Sequence, residues 1–236
     1  MIVNSSLSVP RLPQPNFELI EAVVARGIGL VDLWEASPIR LDSNEPGTDA
    51  IIDILFPKNP LLCCGWTRHR FDTRPRKNWH KLHELQFLVA NPMKSKRGLT
   101  KSGKLSAHSL ENTGERRFLV VEFDFDVSRS AEEGDLLRNL ENKGRDVRDL
   151  CAALLVHLAA TAPLAMAVYS GGKSLHGWFP CFGENENWLR GFMHTAVSLG
   201  ADTATWSRCQ FVRMPDGKRD NGRRQTIYFF NPEVIT

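Results

Sequence analysis

The sequence predicts an α+β fold in which an antiparallel or mixed sheet carries helices on one of its sides. Three observations in the second half of the chain support this: strand-like segments rich in β-branched and aromatic residues, two helical stripes of apolar residues, and glycine-containing turns between them. Their order is strand, helix, hairpin, helix, hairpin. This order lacks the regular strand–helix alternation of a doubly wound parallel sheet.

The first half of the chain contains fewer recognisable elements. Residues 1–15 are polar and proline-rich, and we expect a flexible lead-in there. Helical periodicity predicts helices over residues 17–25 and 49–55. Residues 85–90 are predicted to form a strand. Residues 91–115 are rich in Lys, Ser and Gly, which predicts a long exposed loop or hairpin.

The second half is more regular. A helix is predicted to begin near Asp146, because Leu150, Leu154 and Leu158 form an apolar stripe. A second helix covers residues 188–199 and ends at Gly200. The last two strands are predicted to be joined by a basic, glycine-containing turn. Strands are predicted at residues 118–126, 164–169, 175–182, 209–213 and 225–230.

Composition places the chain among ordinary globular proteins. It has 236 residues, of which 42% are hydrophobic and 24% charged. No apolar run approaches the roughly 18 residues of a membrane span, and the start does not read as a secretory signal. A cytoplasmic location is therefore expected.

Cysteine and charge patterns are less informative. The five cysteines form no CxxC pair, so neither a disulfide framework nor a zinc finger is indicated. A zinc site of Cys63 with His69, His80 and His83 is the alternative.

The net charge is only +3, but basic residues cluster at 68–81 and 218–224. Such clusters bind phosphates or form solvated loops.

Acidic residues occupy one side of the strand that begins at Phe118. Alternation puts Glu122, Asp124 and Asp126 on one face and apolar residues on the other. Carboxylates held together repel one another unless a cation or water relieves the repulsion. A solvated face is one interpretation. The other interpretation is that the acids bind a pair of divalent cations about 4 Å apart. A third acid would complete the site, and Asp202 is the candidate. The alternative for Asp202 is a role as a cap or turn residue.

The segment SGGKSLHGWF contains a second group of polar residues. A P-loop is disfavoured, because its first glycine position holds Ala167 and a strand, not a helix, is predicted to follow. Gly171 and Gly172 instead permit a tight turn whose amides approach an anion. Ser174 and His176 then fall on one face of the next strand. A structural role is the usual one for a lone strand histidine, and binding of a triphosphate is the functional alternative.

Together, three segments resemble the signatures of the archaeo-eukaryotic primase superfamily, and in particular the primase-polymerases of plasmids, phages and mobile elements. They are VVEFDFD, SGGKSLHGWF, and GADTATWSRCQFVRMPDGKRDNGRRQTIYF, in that order. The resemblance covers roughly residues 118–231. It implies one catalytic core made of an N-terminal α/β lobe (residues 16–117) and a catalytic lobe like an RNA-recognition motif (residues 118–236).

The resemblance also implies an activity and its residues. The activity is template-directed addition of NTPs or dNTPs to a 3′-hydroxyl with two Mg²⁺ or Mn²⁺ ions, in replication or repair of a mobile element or bacterial genome. The implied partners are single-stranded DNA template, primer and nucleotide, and a helicase or helical priming domain.

The implied metal ligands are Glu122, Asp124, Asp126 and Asp202, with either Glu122/Asp124 or Asp124/Asp126 as the first pair. The implied nucleotide-binding residues are Ser170, Gly171, Gly172, Lys173, Ser174, His176 and Arg213. Those implied to bind nucleic acid are Arg219, Arg223 and Arg224, and the implied catalytic group is Glu122, Asp124, Asp202 and His176.

Three other functions are each compatible with part of the sequence. A replication-initiator nuclease needs an HxH metal pair and an exposed tyrosine, whereas the sequence has no HxH and only Tyr169 and Tyr228, both in apolar strands. A non-catalytic RNA-recognition module stacks bases on strand aromatics, but here acids occupy the middle strand. A two-metal nuclease suits clustered carboxylates equally well. The Ser-x-His turn and the Arg-x-Pro at Arg213 favour nucleotide transfer.

Overall fold

The computed structural model describes residues 12–41 and 47–235. Within these ranges the chain is a mixed α+β protein with antiparallel sheets and six α-helices, which confirms the predicted class. Most of the expected lead-in, residues 1–11, lies outside the described part. No helix in the described ranges is long and apolar enough to cross a membrane.

The elements follow the chain in this order. The helices are α1 (Phe17–Val24), α2 (Leu30–Glu35), α3 (Thr48–Leu55), α4 (Ala131–Glu141), α5 (Val147–Ala159) and α6 (Glu186–Ser198). The strands are β1 (Leu61–Gly65), β2 (Phe71–Pro75), β3 (Phe87–Val89), β4 (Gly98–Leu99), β5 (Leu105–Ser106), β6 (Phe118–Phe123), β7 (Met166–Tyr169), β8 (Leu175–Pro180), β9 (Phe211–Arg213) and β10 (Ile227–Phe230).

Two four-stranded sheets form the body of the molecule. The first has the order β2-β1-β3-β9, and the second has the order β10-β7-β8-β6. Strands β4 and β5 form a separate hairpin, within the segment predicted to be a loop or hairpin. Every strand pairing is antiparallel.

Alternating residues of β6 reach two different cores. Leu119, Val121 and Phe123 pack in a core with residues of α1, α2, α4, α5 and α6. Phe118 and Val120 belong to a second core, shared with β1, β3, β7, β9 and α3. The second sheet is therefore covered by helices on one face and by the first sheet on the other. Both of its faces are apolar along most of their length, as expected for a sheet buried on both sides.

Local signals account for several helix ends. The side chain of Asp146 accepts a hydrogen bond from the Arg148 amide and begins α5 as predicted. Ser130 caps α4 in the same way. Helix α4 was not predicted, because only a short apolar stripe, Leu136 and Leu140, is buried along a mostly polar segment. Helix α2 and strands β1 and β2 were also not predicted; they are short.

The predicted pairing of the last two strands is wrong. Strand β9 pairs with β3 of the first sheet, with Arg213 opposite Phe87, whereas β10 pairs with β7 of the second. Val212 of β9 and Ile227 of β10 both lie in the core between the sheets, so the two strands face each other across that core and do not pair. The division of the chain at residues 117 and 118 stays a prediction, and β9 connects its two halves.

Candidate active site

The acidic strand and the Ser-x-His strand are neighbours. Glu122 of β6 is directly opposite His176 of β8. The Glu122 Oε1 and Ser174 Oγ atoms each lie 3.4 Å from His176 Nε2. Ser174 and His176 thus share a face, as the alternation predicts. The turn before them leads into β8 rather than into a helix, so the P-loop alternative is excluded.

His176 is held in its neutral form. Burial lowers the pKa of its imidazole, and the charges of Glu122, Asp124 and Asp202 only partly oppose that effect. Its Nδ1 atom is buried and has no hydrogen-bond partner among the described residues. A neutral imidazole has one donor and one acceptor nitrogen, and Nε2 is the ring nitrogen that faces Glu122 and Ser174.

Asp202 joins this group through the backbone. Its amide donates a 2.9 Å hydrogen bond to the Glu122 carbonyl, and Ala201 forms a β-bridge with Phe123. The side chain of Asp202 accepts from the Ala204 amide at 2.9 Å, so it also caps a short 3-10 turn. The structure therefore joins the backbones of two acidic residues that are 80 positions apart in the sequence, Glu122 and Asp202.

Asp124 and Asp202 line one open cavity. Its volume is about 490 Å³, and Arg129, Thr203 and Pro13 also line it. The Asp124 side chain is 34% exposed. Such a space is large enough for water and ions beside both carboxylates.

Two cations neutralise the outer acids. Lys173 Nζ lies 3.7 Å from Asp124 Oδ1 and contacts Asp126 directly, and Arg129 Nη2 lies 3.5 Å from Asp124 Oδ2. Asp126 also accepts bonds from the amide and hydroxyl of Ser128. The hydrogen bond from Lys173, followed by those from Ser128, lowers the pKa of Asp126. Among the described residues no group of three or more His, Cys, Asp or Glu side chains is arranged to hold a metal ion.

Arg213 faces the same group from the first sheet. Burial lowers the pKa of its guanidinium to about 10, with Arg219 and Arg68 adding to the effect and Glu122 opposing it. The guanidinium remains charged at neutral pH. It lies 4.7 Å from the centre of the Phe87 ring.

The basic turn packs against the glycine turn. Arg219 Nη1 donates to the Ser170 carbonyl at 3.3 Å. Gly171 has φ +73°, and a Cβ there would lie 2.9 Å from the Arg224 carbonyl oxygen. Arg224 forms an ion pair with Asp216, and Arg223 is exposed. Three arginines are expected to bind nucleic acid. Among the described residues, the side chains of Arg219 and Arg224 already form a hydrogen bond or an ion pair, and only that of Arg223 forms neither.

Gly171→Ala should lower the free energy of unfolding by more than the cost of a left-handed backbone conformation alone. The backbone conformation costs about 1–2 kcal/mol for a residue with a Cβ, and the close Arg224 carbonyl adds a steric term. The matched control is Gly183→Ala, because Gly183 has φ +74° and a Cβ placed there would meet nothing within 4 Å. Urea denaturation of both variants gives the comparison. Equal losses of stability would show that the glycine turn does not touch the basic turn.

Two alternatives lose support. Cys63 is fully buried, and burial raises the pKa of its thiol to about 12, so a zinc-binding thiolate is disfavoured there. Tyr169 and Tyr228 pack edge to face against each other, and the Tyr169 hydroxyl donates to the Gly172 carbonyl. Neither tyrosine is the exposed nucleophile of an initiator nuclease.

Some residues of the site were not predicted from sequence. Arg129 contacts Asp124 across a loop, and Glu133, which is 4% exposed, accepts a hydrogen bond from the Asp126 amide. The i,i+4 spacing of Arg129 and Glu133 predicts only their mutual contact. Comparison with family models, with curated proteins and with solved structures gives no match.

Proposed function

We propose that this chain is a template-directed nucleotidyltransferase of the primase-polymerase type, which adds nucleotides to a 3′-hydroxyl. One observation carries the proposal: Asp202 is hydrogen-bonded to the strand that bears Glu122, and Glu122 lies beside His176. The second and third sequence signatures are therefore adjacent to the first. Two signatures related only by chance would have no reason to meet.

The metal ligands would be Glu122, Asp124 and Asp202. Carboxylate oxygens suit Mg²⁺ and Mn²⁺, and these acids offer no softer atom. Asp126 is already engaged by Lys173 and Ser128, which favours Glu122 with Asp124 as the first pair. Bound ions would activate the attacking hydroxyl and stabilise the leaving pyrophosphate.

The remaining residues bind and orient the nucleotide. Neutral His176 would donate one hydrogen bond to a phosphate oxygen from Nε2, the nitrogen beside Glu122, and Ser174 Oγ lies 3.4 Å from that atom. Arg213 supplies a positive charge from the first sheet. Lys173, a residue of the glycine turn, balances the charges of Asp124 and Asp126 in the free protein and would turn to a bound triphosphate. Positioning and charge then supply most of the catalysis.

Incorporation of labelled nucleotides tests the proposal. The protein is assayed on single-stranded template with and without a primer, with NTPs or dNTPs, and with Mg²⁺ or Mn²⁺. We expect metal-dependent product that requires the template. Degradation of the template instead would favour a two-metal nuclease, and binding without any incorporation would favour a non-catalytic module.

A further inference from the structure

The hairpin between β1 and β2 ends in a cluster of basic residues. Arg68, His69 and Arg70 are consecutive and exposed. Neither arginine has a carboxylate within 4.0 Å in residues 12–41 and 47–235. We call residues Thr67–Arg70 the hairpin tip.

The hairpin tip is held in one conformation. The Trp66 amide donates to the Arg70 carbonyl at 2.9 Å. Thr67 Oγ1 accepts from the amides of His69 and Arg70 at 3.2 and 3.0 Å. The Arg70 guanidinium lies 4.8 Å from the centre of the Trp66 ring. A ligand that binds here therefore has little backbone to order, which lowers the entropic cost of binding.

The hairpin tip is continuous with the candidate active site. Arg68 and Arg213 both lie over the Phe87 ring, at 5.8 and 4.7 Å from its centre. Arg219 is in the basic turn that follows β9, and its Nη1 donates to the Ser170 carbonyl of the glycine turn at 3.3 Å. Arg68, Arg213 and Arg219 thus lead from the hairpin tip to the glycine turn, and together with Arg70 of the hairpin tip we call them the arginine row.

An anionic polymer suits this arrangement. Like charges held close together repel one another, and described acids form no ion pair with any member of the row. The planar guanidinium donates paired hydrogen bonds that match phosphate geometry. A chain of phosphates would meet successive arginines on its way to the catalytic acids.

We propose that the hairpin tip and the arginine row bind the sugar-phosphate backbone of the single-stranded template beside the active site. The proposal rests on the proposed function, because the row is assigned to the template by its approach to the catalytic acids. It adds Arg68 and Arg70 to the residues expected to contact nucleic acid.

Fluorescence anisotropy with a labelled single-stranded oligonucleotide tests it. For Arg68→Ala/Arg70→Ala at about 0.1 M salt we expect Kd to rise on the order of tenfold. The slope of log K against log salt should become shallower by about 0.7 for each phosphate that the variant no longer binds. Arg68→Lys/Arg70→Lys retains both charges and should retain the slope.

The matched control is Arg26→Ala/Arg138→Ala, which removes the same charge on the helical side of the second sheet. It should bind as the wild type does. The proposal is overturned if the hairpin variant equals this control in both Kd and slope, or if the wild type does not bind the oligonucleotide. Binding that depends on the hairpin tip, in a protein that incorporates no nucleotide, would uphold this surface and reject the proposed function.

Discussion

Asp124→Asn is expected to reduce nucleotide incorporation by roughly a thousandfold. The amide keeps the size of the carboxylate but loses its charge, and a loss of metal stabilisation of about 4 kcal/mol corresponds to that factor in rate. Asp124 is the acid shared by both possible metal pairs, and it lines the open cavity with Asp202. Primer extension with Mn²⁺, measured under single-turnover conditions, gives the rate.

The matched control for this variant is Asp135→Asn. Asp135 also forms an ion pair with an arginine, Arg138, but it is exposed on α4 and does not line the cavity beside Asp124 and Asp202. We expect its rate to equal that of the wild type, and circular dichroism should be unchanged in both variants. Substantial extension by the Asp124 variant would reject the assignment of Asp124 to the metal site.

Trp178→Ala should produce the largest loss of stability, about 3–5 kcal/mol in the free energy of unfolding. Trp178 is fully buried in the core between the two sheets, where its ring meets Phe56 and Phe118 edge to face. Removal of the indole leaves a cavity that β6 and β8 cannot close without moving. Urea denaturation monitored by circular dichroism measures the loss.

Trp188→Ala is the comparison. Trp188 stacks on Phe192 of α6, but it is only partly buried at the edge of the helical core. Replacing it with alanine removes less buried apolar surface than Trp178→Ala does, so the loss in the free energy of unfolding should be clearly smaller. Equal losses from the two tryptophans would mean that the core between the sheets contributes less to stability than its burial indicates.

Local patterns in the sequence predicted much of the second sheet. Alternation along β6 correctly separated buried Phe123 and Phe125 from the partly exposed acids. The regular strand ends at Phe123, yet the alternation continues to Asp126. Such features depend on neighbours one or two residues away, so a single sequence contains them.

The pairing of segments that are distant in the sequence could not be predicted from local patterns. The partner of β9 is β3, more than a hundred positions earlier, and the basic turn that follows β9 suggested a hairpin instead. The hydrogen bond between Asp202 and Glu122 also joins distant positions, which are 80 residues apart. Both depend on which edge of a sheet is free after the cores have formed, and periodicity carries no information about that choice.

We propose that acids from two distant stretches of the chain form one cation site, and Mn²⁺ binding tests this most directly. Electron paramagnetic resonance of free Mn²⁺ is recorded during titration of the wild type, Asp202→Asn and Asp135→Asn. We predict that Asp202→Asn weakens Mn²⁺ binding about tenfold or more, because removal of one carboxylate ligand costs at least about 1.4 kcal/mol. Asp135→Asn should bind as the wild type does. Identical titrations for Asp202→Asn and the wild type would contradict the claim.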